Sequence, residues 1–144
     1  MDELNAKIEK DEKSGLWYRP ELGELFVINE QSQYAKLDFK DKTVMDVGAH
    51  IGCFTDLALK NGAKHVYAYE PTPESFALAV MNVNNEKTSL YNSALTGHDD
   101  IETEFYLSKT YPTCHTHIPV KNREVVTVQA ENFWQKLDIH KPQV

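Results

Sequence analysis

The chain has 144 residues, a length that suits one domain with a single core. Its 15 basic and 22 acidic residues give a net charge of −7, which argues against a surface for nucleic-acid phosphates, because such a surface needs clustered Lys and Arg. A hydrophobic content of 41% is typical of soluble globular proteins, and no apolar run approaches the roughly 18 residues that a membrane-spanning helix requires.

Two features of the sequence favour the cytoplasm. The N-terminus is charged and has no apolar core of the kind found in signal peptides. Cys53 and Cys114 are far apart in the chain and do not form a disulfide framework, so we expect reduced thiols.

Residues 1–40 are predicted to form an N-terminal extension or lid. Residues 2–13 are expected to form a short polar helix or a frayed end, with Leu4 and Ile8 as its apolar pair. The apolar run 25–28 is expected to be a strand.

Residues 41–97 carry the most informative pattern. An apolar run, 44–47, ends abruptly in glycines at Gly48 and Gly52, and a helical pattern follows at once over 52–61. Glycines let the backbone turn tightly and approach a ligand, and the helix then presents unpaired N–H groups. This strand–turn–helix arrangement is typical of a nucleotide-type binding site.

A second predicted strand, 65–69, closes with Glu70. An acidic residue about 20 positions beyond a glycine turn usually ends the second strand of such a site and binds ribose hydroxyls. Purely structural roles are the alternatives: Gly48 and Gly52 could be packing glycines, Asp46 a cap, and Glu70 a solvated loop residue.

The rest of this core alternates helix and strand. A helix is predicted to start at Thr72 as N-cap with Pro73 in its first turn, and a third strand covers 88–95. The face predicted to pack on the sheet contains Phe76, Leu78, Val80, Met81 and Val83. Alternation of this kind implies parallel strands.

After residue 97 the alternation of predicted helices and strands ends. Residues 98–130 are predicted to form a β-hairpin with strands at 101–107 and 118–129, and residues 131–144 a short closing helix (131–137) and tail. The hairpin loop holds Cys114, His115 and His117, which we interpret as an exposed polar loop. A metal site is disfavoured because no second pair of ligands accompanies them, and a substrate-facing loop is the other alternative.

The spacing of the glycines indicates which class of nucleotide ligand the chain binds. The dinucleotide pattern G-x-G-x-x-G is absent, which disfavours a nicotinamide-dependent oxidoreductase. The chain instead has Asp46-x-Gly48-x-His50-x-Gly52, which resembles the first motif of class I S-adenosylmethionine (SAM) methyltransferases. Histidine stands where that motif has a middle glycine, and histidine tolerates the left-handed backbone region better than most residues.

The wider sequence resembles the FkbM-type methyltransferases. The resemblance runs through 44–55 and 66–76, then Asn82, Asn84 and the segment 92–95, and loosens after residue 97. It implies an α/β fold with a Rossmann-like parallel sheet of the class I methyltransferase type, incomplete in its C-terminal half and carrying an added β-hairpin. It also implies SAM as the cofactor.

The same resemblance assigns residues to the site. The cofactor-binding residues that it implies are Asp46, Gly48, Ala49, His50, Gly52, Glu70, Pro71, Ser93 and Ala94. Asp46 and the glycines would line the methionine portion, Glu70 would accept from the ribose hydroxyls, and Ser93 and Ala94 would lie near the adenine. A general base is not assigned: His50, His115 and His117 are weak candidates, and no metal is expected.

Members of this family are usually longer, continuing into a fourth strand where this sequence reaches residue 144. The first strand would then have an open apolar edge. Three alternatives stay open: a truncated product, a half completed by a second chain or second copy, and a reduced fold whose N-terminal segment covers the edge. We therefore expect SAM-dependent methylation, directed to an oxygen of a small molecule or glycan, with a non-catalytic SAM-binding or assembly module as the alternative.

Overall fold

The computed structural model describes residues 7–108 and 119–144. In the N-terminal segment, β1 (Glu9–Lys10) pairs antiparallel with β2 (Trp17–Tyr18). The polar helix predicted for residues 2–13 is therefore wrong over the part that is described. Asp11 accepts hydrogen bonds from the Ser14 backbone and hydroxyl and so closes a turn, which competes with the helix.

The strand predicted for residues 25–28 is also wrong. These residues lie in helix α1 (Glu24–Glu30), which follows a left-handed Gly23 with a φ of 72°. A four-residue apolar run does not distinguish a strand from a helix by itself. Here the two buried positions, Glu24 and Ile28, are four apart and share one helical face, while Leu25 and Phe26 face solvent.

The core sheet has three parallel strands in chain order. β3 (Thr43–Val47) pairs with β4 (His65–Tyr69), which in turn pairs with β5 (Thr88–Tyr91). Because strands of this kind end at one common edge, the segments that follow Val47 and Tyr69 meet there. The predicted parallel order and the bounds of the second strand are confirmed.

Two helices connect these strands. α2 (Cys53–Lys60) ends where expected, with Gly62 beyond it at a φ of +88°. α3 (Pro73–Val83) buries Ser75, Leu78, Ala79 and Val83. The predicted inner position of Met81 is wrong, because its side chain is 51% exposed and lies off the buried face.

The predicted third strand breaks in two around Asn92. β6 (Ala94–Thr96) leaves the core sheet and pairs parallel with β8 (Glu124–Asn132), and β8 pairs antiparallel with β7 (Glu102–Leu107). The added antiparallel pair is confirmed, but the predicted bounds of its second strand, 118–129, are wrong, because β8 begins at Glu124 and runs to Asn132. The closing helix, α4 (Phe133–His140), starts later than predicted because the Asn132 side chain caps it by accepting from the Gln135 N–H at 3.1 Å.

Two apolar clusters hold these layers together. The first joins Val44, Val66 and Ala68 of the sheet to Ala58 of α2. The second joins Leu16, Tyr18 and Ile28 of the N-terminal segment to Ile51, Cys53 and Leu78. The N-terminal segment therefore packs directly against the start of α2 and the middle of α3.

The outer edge of β3 is partly covered by the tail. The Gln143 N–H donates to Thr43 O at 2.7 Å, and the Met45 N–H donates to Val144 O at 2.9 Å. The N-terminal cover considered above is therefore wrong for this stretch, which the C-terminal residues occupy. At the far end of the strand Val47 is 53% exposed.

The described chain has the predicted Rossmann-like α/β architecture, with a parallel sheet and an attached antiparallel pair. Within these residues no helix combines the length and the apolar character that crossing a bilayer requires.

Gly52 offers a test of how tightly α2 meets α3. A Cβ at this position would lie 3.0 Å from Val83 Cγ2, and the φ of +86° is unfavourable for any side chain. We expect backbone strain in Gly52→Ala to lower the free energy of unfolding in urea by about 1–3 kcal/mol. The close contact of the new Cβ with Val83 should lower it further.

Gly15→Ala is the matched control, because Gly15 has a similar φ of +80° but a Cβ there would meet no atom within 4 Å. Equal costs at the two positions would contradict the packing role of Gly52. Val83→Ala should recover part of the loss in the Gly52→Ala background only.

Candidate functional site

The turn after β3 is folded onto the end of β4. The Gly48 and Ala49 N–H groups both donate to Tyr69 O at 2.9 Å, and the His50 N–H donates to Glu70 Oε2 at 2.8 Å. Three successive N–H groups that would otherwise lack partners are thus satisfied by two residues of the neighbouring strand end. The sequence-predicted glycine turn and Glu70 lie side by side.

Glu70 is buried and its carboxylate is shared between two segments. Besides the bond from His50, Oε1 accepts from the Thr72 N–H at 2.8 Å and from the Thr72 hydroxyl. Thr72 is the N-cap of α3, as predicted, but its side chain binds Glu70 instead of capping the helix. Glu70 therefore fixes both the turn after β3 and the start of α3.

The two motif glycines have different surroundings. A Cβ at Gly48 would meet no atom within 4 Å, and its φ is +83°. Gly52 instead lies against Val83. Gly48 is thus the position where a ligand can approach the backbone, whereas Gly52 serves the packing of the two helices.

Asp46, near the end of β3, is buried below the turn. Its Oδ2 accepts from the Thr55 hydroxyl at 2.6 Å. Burial raises the pKa of Asp46 to about 6, against the effect of the bond from Thr55, and the charge of Glu70 adds to the increase. The site therefore contains two neighbouring carboxyl groups in a poorly solvated place.

Two cavities open at this edge of the sheet. The turn cavity, of about 340 Å³, is lined by Asp46, Gly48, Ala49 and His50 together with Val27 and Gln31 of the N-terminal segment. The strand-end cavity, of about 310 Å³, is lined by Pro71, Thr72 and Asn92 together with β7 and β8. Glu70 bonds to one residue of each cavity, His50 and Thr72.

Four predicted residues line neither cavity. Glu70 is one of them, and its carboxylate is bonded to His50 and Thr72, which do line the cavities. Gly52 packs on α3, the Ser93 hydroxyl donates to Glu131 Oε1 at 2.8 Å, and Ala94 is buried where β6 pairs with β8. Their predicted contacts with the cofactor stay predictions. Asn92, which was not predicted as a site residue, lines the strand-end cavity and donates to Glu70 O at 2.8 Å and Pro71 O at 3.1 Å.

His50 adopts the left-handed conformation that the motif required, with a φ of 54°. Its side chain points away from solvent, with both ring nitrogens buried, and Nε2 lies 3.0 Å from Glu24 Oε1. A general base must reach the proton that it removes, so this arrangement suits the support of the turn better than proton transfer.

The other reactive side chains add little to the chemistry of the site. His115 and His117 lie outside the described residues. Cys53 lines the turn cavity, but burial raises the pKa of its thiol to about 12, with the charge of Glu24 adding to the increase. The thiol is therefore protonated and a poor nucleophile.

The FkbM methyltransferase domain profile matches residues 46–138, which is more than half of the chain. The chain belongs to this family. The matched segment begins at Asp46 and includes the turn, Glu70, the hairpin and most of α4. Among curated proteins, none matches this FkbM-family chain significantly.

Solved structures are similar over parts of the FkbM-family chain. A Listeria monocytogenes protein provisionally named an S-adenosylmethionine dependent methyltransferase is 24% identical over 50% of this chain and 32% of its own, with a TM-score of 0.40. The Pyrococcus horikoshii protein PH0793, provisionally named a transferase, is 22% identical over 65% and 43%, with a TM-score of 0.46. A structure named PRMT6-SAH is 23% identical over 49% and 22%, with a TM-score of 0.37. This chain thus spans less than half the length of each of them.

The raised pKa of Asp46 predicts a pH dependence of stability for this FkbM-family chain. The folded state binds this proton more tightly than the unfolded chain, whose ordinary pKa is 3.8. The group therefore favours folding most at low pH, and the contribution is lost as the pH rises through about 6. When the pH is raised from about 5 to about 7.5, the free energy of unfolding of Asp46→Asn should increase by about 1–2 kcal/mol relative to that of the wild type, measured by urea unfolding.

Asp100→Asn, at an exposed position, is the control and should follow the wild type at both pH values. A constant difference between Asp46→Asn and wild type across this interval would contradict the assignment.

Proposed function

We propose that this chain carries out SAM-dependent methyl transfer, with the cofactor bound at the common edge of β3 and β4. One observation supports this most strongly: the His50 N–H and the Glu70 carboxylate, 20 positions apart in sequence, lie 2.8 Å apart beside the open Gly48. Crevices at the carboxyl ends of parallel strands are where α/β proteins bind such ligands.

The residues present fit this cofactor. Gly48 has open space where a side chain would otherwise block the backbone, and the turn cavity and strand-end cavity flank the strand ends. Neither Asp46 nor Glu70 has an ion pair within the described ranges, although both are buried. Buried carboxylates of this kind favour a cationic ligand.

The cofactor, when bound, supplies a methyl group on a positively charged sulfonium. The chain's own residues would orient it. Glu70 would accept from a ribose hydroxyl with the one lone pair that remains on Oε2, and Asp46 would lie toward the methionine portion. The strand-end cavity is lined by uncharged residues, such as Pro71 and Asn92, with the exception of Glu74, and a lining of this kind suits an uncharged ring. Holding two reactants aligned in a site closed to water accounts for much of the rate in reactions of this type.

We further propose an oxygen acceptor on a small molecule or glycan. The net charge of −7 supports this over a polyanionic nucleic acid. The buried ring nitrogens of His50 leave the general base unassigned. The cytoplasm remains the proposed compartment, supported by the buried free thiol of Cys53. A second chain or copy beside the exposed end of β3 at Val47 is a further proposal about partners.

Glu70→Gln tests the binding proposal. The change keeps the volume and one acceptor oxygen but removes the charge, so we expect SAM affinity to fall by about tenfold in calorimetric titration. Because one N–H of His50 or Thr72 loses its acceptor, stability should also fall by about 1–2 kcal/mol, and binding is compared below the melting transition.

Glu86→Gln is the matched control, because Glu86 is exposed and lines neither cavity. Titrations with S-adenosylhomocysteine and NAD belong to the same experiment. Binding of NAD without binding of SAM by the wild type would overturn the proposal.

Transfer itself is tested with SAM labelled in its methyl group. We expect label to pass to hydroxyl-bearing small molecules or glycans and not to RNA or DNA, since the acidic surface repels phosphates. Asp46→Asn should reduce transfer because it removes one of the two buried negative charges. Tight SAM binding with no transfer to any acceptor would instead favour a non-catalytic SAM-binding module.

A further inference from the structure

A buried ion pair lies in the N-terminal segment, outside the matched family region. The Glu24 side chain is 0% exposed and that of Arg19 is 3% exposed. The Arg19 N–H donates to Glu24 Oε2 at 2.7 Å, Nε donates to Oε1 at 3.0 Å, and Nη2 also donates to Oε1. Burying two charges is costly unless further hydrogen bonds offset the loss of solvation. The other contacts of this pair are therefore informative.

This pair contacts both segments that form the cofactor-binding edge. Glu24 Oε1 lies 3.0 Å from His50 Nε2, in the turn after β3. Arg19 Nη2 donates to the Ser75 hydroxyl at 2.9 Å, in the first turn of α3. These are the same two segments that Glu70 joins, through the His50 N–H and Thr72.

Asn82 of α3 makes a second connection. Its side chain accepts from the Trp17 N–H at 2.7 Å and donates to Trp17 O at 2.9 Å and to Ile51 O at 2.8 Å. Ile51 is the residue after His50. The N-terminal segment is therefore connected to the turn at two adjacent residues: Glu24 lies against the His50 side chain, and Asn82 links Trp17 to the Ile51 carbonyl.

We propose that Glu24 is a positioning residue for cofactor binding: through the His50 side chain it holds the His50 N–H on Glu70 and so sets the affinity for SAM. This inference rests on the proposed function for its affinity readout. Glu24 touches neither cavity in its own right and acts through His50.

The charge of Glu24 supports this role. Burial alone would raise the pKa of Glu24, but the contacts with His50 and Arg19 outweigh it and hold the pKa at about 2. Glu24 is therefore ionised at neutral and mildly acidic pH. His50 needs such a partner because its backbone, at a φ of 54°, is in a region that few residues adopt without support.

A double-mutant cycle separates positioning from simple stabilisation. Glu24→Gln keeps the shape and removes the charge, and His50→Asn keeps a residue that tolerates the left-handed turn but removes the imidazole. If Glu24 acts through His50, Glu24→Gln should weaken SAM binding about fivefold or more in the wild type and less than about twofold in the His50→Asn background. Additive losses would overturn the proposal.

A second measurement needs no cofactor. Hydrogen exchange of the His50 amide, followed by NMR on the free protein, should be about tenfold faster in Glu24→Gln than in the wild type, with the Val66 amide in β4 unchanged. Glu21→Gln, an exposed acidic change three residues earlier, is the matched control and should leave His50 unchanged. Unaltered exchange at His50 in Glu24→Gln would overturn the proposal even if SAM binds.

The two failures are distinguishable. A wild type that does not bind SAM refutes the proposed function, while the exchange rates still decide whether Glu24 positions the turn. If Glu24→Gln does not fold, His50→Asn with Glu24 intact serves in its place. Faster exchange at residue 50 in that variant supports the proposal, and wild-type exchange there overturns it.

Discussion

The carboxylate of Glu70 is the constraint on which the rest of the site depends. A turn that passes from a strand into a helix leaves several N–H groups without partners, and a buried site cannot leave them so. Glu70 and the adjacent Tyr69 O accept three of them from Gly48, Ala49 and His50. The same carboxylate binds Thr72 and thereby sets where α3 begins. Two strand ends that are distant in sequence become one rigid edge.

That edge is negatively charged and poorly solvated. Asp46 and Glu70 are both buried, and within the described ranges neither is neutralised by a lysine or arginine. The raised pKa of Asp46 expresses the cost of this arrangement. Asp46 has one hydrogen bond, from Thr55, to offset this cost, and under the proposed function a cationic ligand would lower it further.

Features that depend on neighbouring residues could be predicted from the sequence. The glycine turn, the strand that ends before Glu70 and the start of α3 at Thr72 all follow from local patterns, and the structure has them. The N-terminal helix α1 could not be predicted, because its apolar run is too short to select a period and its burial depends on Glu24. The roles of Glu24 and Ser93 could not be predicted either, since their partners, His50 and Glu131, lie 26 and 38 positions away.

The contact between His50 and Glu24 accounts for the presence of both residues. A side chain at a left-handed position costs about 1–2 kcal/mol relative to glycine, and a buried carboxylate costs several more unless it has partners. Without Glu24 the left-handed His50 would lose this contact, and without His50 the Glu24 carboxylate would keep only its bonds to Arg19. Together they make a contact between the N-terminal segment and the turn, and Glu24 has a partner in addition to Arg19. This contact explains why a histidine stands at the position of the middle glycine of the motif. A glycine at position 50 would relieve the backbone and leave the N-terminal segment with one contact fewer to the turn after β3.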